Sequence, residues 1–65
     1  METRCIITKD PKSLFGEGSS IKARDLLEEF FKTCSASVKD WLYRIPFAEA
    51  VRYAADSLGI GIRFV

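Results

Sequence analysis

Four groups of residues in this chain have types and spacings that bear on chemistry. Glu28 and Glu29 are adjacent acids, and Gly16, Gly18, Ser19 and Ser20 make a glycine–serine stretch. Cys5 and Cys34 are the two thiols, and Tyr43, Arg44, Arg52 and Tyr53 are a set of phenol and guanidinium side chains. Neighbours on a helix point about 100° apart, so Glu28 and Glu29 are a poor catalytic pair and read as a solvated face. The chain has no histidine, the side chain best suited to proton transfer near neutral pH and to activating a nucleophile. The expectation is a protein that is not an enzyme.

Successive N–H groups in a glycine-rich turn that feeds a helix can hold an anion. Gly16-Glu17-Gly18-Ser19-Ser20 has that outline, but it lacks the spacing and the terminal Gly-Lys-Ser/Thr of a nucleotide loop. A loop ending in a serine cap is the plainer reading. Two cysteines without a histidine do not make a four-ligand zinc site, so neither metal nor cofactor is expected. A Cys5–Cys34 disulfide would stabilise the fold, yet two packed thiols of a reducing compartment fit better. Tyr and Arg are enriched at the energetic centres of protein interfaces. Tyr43, Arg44, Arg52 and Tyr53, all off the apolar stripes, are therefore the candidate partner face.

The elements that must position these residues follow from periodicity. Thr3–Lys9 alternates Thr3, Cys5 and Ile7 with Arg4, Ile6 and Thr8, is rich in β-branched residues, and reads as a strand. Residues 10–19 are a loop, with Leu14 and Phe15 as an apolar plug. A helix is expected from about Ile21 to Cys34, capped by Ser19 or Ser20, with Ala23, Leu26, Leu27, Phe30, Phe31 and Cys34 in one arc. Glu28 and Lys32 are an i,i+4 pair on it. Ser37 with Asp40 three residues on signals a second, short helix carrying the stripe Val38, Trp41, Leu42 and Ile45. On that stripe Trp41 reads as core, so its truncation to alanine is expected largely to unfold the chain. Pro46 ends this helix and opens a third, to Leu58, with Phe47, Ala50, Val51, Ala54 and Leu58 inward and Gly59 as its stop. Ile60, Ile62 and Phe64 alternate like a final strand. The expected fold is a single α+β domain over residues 1–65, in the order β-α-α-α-β, with two terminal strands packed on three helices.

Composition bounds the function. At 65 residues the core must be thin, since a chain of this size buries only about 60% of its unfolded surface. A second subunit is a common remedy, and two paired strands still leave open edges. The apolar fraction of 48% excludes a disordered segment, and no signal peptide or membrane span is drawn. Cytoplasmic residence is the default. The leading expectation is a small non-enzymatic protein–protein interaction module, a homodimeric adaptor or an inhibitor of a larger protein. The element order also looks like that of small phage repressors, which would make the second and third helices a DNA-binding helix-turn-helix. A net charge of +1, and Glu49 and Asp56 beside Arg52, argue against that alternative. Anion or phosphate binding at Gly16–Ser20 ranks third.

Overall fold

A computed structural model describes residues 3–65, which form an α+β domain of three strands and three helices. Strand β1 is Arg4–Lys9, β2 is Ser20–Lys22 and β3 is Gly61–Phe64; helix α1 is Ala23–Phe31, α2 is Ala36–Leu42 and α3 is Phe47–Leu58. The sheet order is β2-β1-β3, antiparallel throughout, with Cys5 opposite both Ile21 and Phe64. The terminal strands do pair, as alternation in β1 requires: Cys5 and Ile7 are buried, while Arg4 and Thr8 on the other face are exposed.

The third strand corrects the expected start of the first helix. Ser20, Ile21 and Lys22 extend beside β1, and neither Ser19 nor Ser20 caps the helix; Lys22 is the N-cap residue, and its side chain does not cap the helix. The Ala23 N–H instead donates to the Thr3 carbonyl at 2.8 Å, so a sheet-type bond satisfies a helix-end donor. β-branched Ile21 gains more from the ladder than from an uncapped turn. The helix also ends at Phe31, three residues before Cys34. Lys32 pairs with Glu29 at 3.1 Å rather than with Glu28.

Helix α2 begins two residues earlier than expected, because Ser35 rather than Ser37 accepts the Val38 N–H, at 3.2 Å. It is a surface helix whose one buried residue is Leu42. Trp41 is 46% exposed, which overturns its assignment to the core. On the wheel it lies on the flank of the Leu42 stripe, and a helix held by one buried side chain does not draw its flank inward. Phe47, the first residue of α3, is likewise exposed.

Helix α3 carries the packing. Ala50, Val51, Ala54 and Ala55 are buried against α1, whose Ala23, Leu26 and Leu27 are buried in turn. Gly59 ends the helix in the left-handed region at φ 76°, where an L side chain is strained. Gly61 is needed for a different reason. β1 and β3 slip by one residue between Ile7 and Lys9, and a Cβ on Gly61 would lie 2.8 Å from the Thr8 Oγ1 and 3.1 Å from the Lys9 Cβ.

Candidate functional surface

The glycine loop is built around an internal anion. Asp10 is buried at the end of β1. Its carboxylate accepts the N–H of Leu14 at 3.0 Å, of Phe15 at 2.8 Å and of Gly16 at 2.7 Å. Burial works against the charge, but the N–H groups of Phe15, Gly16, Leu14 and Ser13 outweigh it and hold the carboxyl below its ordinary range. The Gly18 N–H donates to the Ile7 carbonyl at 2.7 Å, and the Ser19 N–H to the Gly16 carbonyl at 3.2 Å. Ser20 lies in β2 opposite Ile6. The amides of Gly16, Gly18 and Ser19 are thus committed within the chain, and Asp10 occupies the position an exogenous anion would take. Of the expected plug, Phe15 packs on the core and Leu14 is exposed.

Both cysteines are free thiols. Cys5 faces the helices from β1; its burial raises the thiol pKa, and Arg4 only partly offsets this. A thiol so placed is a packing residue rather than a nucleophile.

The Tyr/Arg set divides between two sides of α3. Arg52 leans over the Phe64 ring at 5.2 Å, on the β3 side. Tyr53 lies on the other flank, its ring 6.0 Å from Phe30 and 5.1 Å from Trp41, both edge-on. Tyr43, the C-cap of α2, meets Phe31 at 5.5 Å. Phe31 in turn touches Phe30 at 6.4 Å. Arg44 pairs with Asp40 at 3.0 Å, both well exposed, and Lys39 sits over Phe31 at 5.3 Å. Tyr43–Phe31–Phe30–Tyr53–Trp41 is therefore one continuous chain of ring contacts across α1, α2 and α3. Tyr43 and Tyr53 belong to it, Arg44 borders it, and Arg52 does not reach it.

None of the eight aromatic residues is among the fully buried side chains, which are aliphatic, alanine or cysteine with the single polar exception of Asp10. Trp41, Tyr43, Phe47 and Tyr53 are 46%, 70%, 46% and 40% exposed. Periodicity reads Phe30, Phe31 and Trp41 as core; Phe30 and Phe31 do pack on it while remaining half-buried, and Trp41 is exposed. The alanines at 50, 54 and 55 were the available sign, since a helix that buries alanine against its neighbours leaves no space between them for rings. No family model, curated protein or solved structure matches the chain. No helix among the described residues is long and apolar enough to cross a membrane.

Proposed function

We propose that this chain is a non-catalytic protein–protein interaction module that docks through the aromatic chain on its helical side. The observation that carries this is the exposure of Trp41, Tyr43 and Tyr53, linked through the half-buried Phe30 and Phe31 at the edge of a core whose fully buried residues include no aromatic ring. Rings are the costliest apolar surface to leave in water, and a contiguous exposed patch of them marks a place that another molecule covers. Tilted and edge-on ring contacts hold the side chains before binding, so less side-chain entropy is lost when a partner arrives. Arg44 and Lys39 at the border supply the polar rim of such an interface. The absence of histidine and the occupied amides of the glycine loop support a role without chemistry. Two free thiols suit a reducing, cytoplasmic setting.

The test compares affinity capture by the wild type with capture by a Trp41→Ala, Tyr53→Ala double variant, with circular dichroism verifying the fold of each. Proteins held by the wild type and lost by the variant are the expected result. Light scattering over micromolar concentrations, with the same two proteins, shows whether a second copy is one of them. Identical capture by a folded variant, with identical mass in solution, refutes the reading.

A further inference from the structure

We infer that the open face of the sheet is a second docking surface, shaped for an acidic segment of a protein partner. Helices α1 and α3 pack on the buried side of the sheet, and the other side carries Arg4, Ile6 and Thr8 of β1, Ser20 and Lys22 of β2, and Arg63 of β3. Register fixes their arrangement: Arg63 and Ser20 flank Ile6, and Arg4 is opposite Lys22. With strands about 4.8 Å apart and about 3.4 Å per residue, Arg4 and Arg63 lie roughly 8 Å from each other at their Cα atoms. That spacing suits two carboxylates of one extended segment.

Among the described residues, the charged side chains of this face are all basic. Every acid among the described residues lies elsewhere: Asp10 and Glu17 in the β1–β2 loop, and the other six on the helices. Arg4 is also held in place. Its Nε donates to the Ser20 Oγ at 3.2 Å and its Nη2 to the Ser20 carbonyl at 3.0 Å, which leaves three of the five guanidinium donors for a ligand. A guanidinium already fixed against the neighbouring strand loses little freedom on binding and keeps the fork that matches a carboxylate.

The same face favours a polypeptide over a nucleic acid. Single strands gain their sequence-tolerant affinity from bases stacked on aromatic rings, and no aromatic side chain lies among these residues. Half-buried Ile6 stands between Ser20 and Arg63, so an apolar centre with a basic border is present, as in protein interfaces. This surface shares no residue with the aromatic one. Together they make the chain a bridge between two partners.

Fluorescence anisotropy with a labelled decapeptide, glutamates around one central valine, tests the inference at low ionic strength. A labelled deoxythymidine decamer and a lysine-for-glutamate peptide are run beside it. The wild type binds the acidic peptide in preference to both, and Arg63→Glu weakens it by about fivefold or more, the scale of one exposed charge contact replaced by a repulsion. Lys32→Glu, the same charge change on the helical side, leaves binding intact. Arg63→Gln gives a smaller loss and serves as the reading if Arg63→Glu fails to fold. No binding by the wild type, equal losses from Arg63→Glu and Lys32→Glu, or tighter binding of the decamer overturns the proposal.

Discussion

Truncating Leu26 destabilises this domain more than truncating Trp41, although tryptophan is much the larger side chain. Leu26 is completely enclosed between α1, α3 and the sheet. Leu26→Ala removes its transfer free energy and leaves a closed cavity, at a cost of about 3.5 kcal/mol. Trp41 has 46% of its surface in water and packs edge-on against Tyr53. Allowing for the compactness of an unfolded chain, Trp41→Ala gives up roughly 80 Å² of cover, or about 2 kcal/mol. Water fills the vacated space, so no cavity term is added. For 65 residues the unfolding entropy makes each kcal/mol worth about 7 °C of midpoint. Thermal unfolding followed by circular dichroism should therefore put Leu26→Ala about 10 °C below Trp41→Ala. Total stability at this length is roughly 3–10 kcal/mol, so Leu26→Ala risks losing the fold while Trp41→Ala keeps it. If Trp41→Ala proves the more damaging, the ring is a core residue and the aromatic chain is a structural element rather than a surface.

Gly61→Ala should destabilise by about 1–3 kcal/mol, since its Cβ would press on Thr8 and on Lys9 at the slip in register; Thr8→Ser, which keeps the oxygen, should not relieve it, and Thr8→Ala should relieve it in part, the contact with Lys9 remaining. Gly59→Ala places a Cβ in open space but at φ 76°, so it should cost only about 1 kcal/mol, from strain alone; a loss as large as that of Gly61→Ala would contradict the distinction drawn between them. Asp10 adds a pH dependence of defined sign. Its carboxyl is held below the ordinary value of 3.8, so its stabilisation is complete above that value and disappears as pH falls through the lower, folded value. Acid unfolding curves should show a steep loss in the wild type that Asp10→Asn removes. In Asp10→Gly the emptied N–H groups of Leu14, Phe15 and Gly16 should take up formate or acetate, seen as a salt-matched rise in midpoint; no rescue would mean that the loop collapses without its own anion.

The sequence showed most where one face of an element is plainly apolar. The alternation of Cys5 and Ile7 with Arg4 and Thr8 located β1 and its buried side, and Gly59 located the end of α3, because each rests on local geometry. The start of α1 was not legible. Ser20-Ile21-Lys22 can begin a helix or extend a hairpin, and the choice is made by β1, which lies more than ten residues away in sequence. The glycine loop misled for a related reason: its amides do cradle an anion, but the anion is the Asp10 side chain, brought back by the turn at Pro11. Periodicity puts Phe30 and Phe31 on the inward arc, where they do pack on the core, but it misplaces Trp41, because it identifies which residues share a stripe and not whether a neighbouring element covers all of it.

Alanine content decides that last point. Ala23 on α1 and Ala50, Ala54 and Ala55 on α3 are buried where the helices and sheet meet, and small side chains let backbones approach closely. Interiors packed at crystal density have no spare volume for a ring once that approach is made, so the bulkiest residues are displaced to the periphery of each helix. Phe30 and Phe31 at the end of α1, Trp41 and Tyr43 on α2, and Tyr53 on the flank of α3 then converge on one side, where Phe30 and Phe31 pack on the edge of the core and link the exposed rings to one another. On the proposed reading, folding and docking rest on different residues. Substitutions among the alanines and leucines should act on stability and leave a docked partner's contacts unaltered, whereas substitution of Tyr43, the most exposed of the rings, should act mainly on affinity.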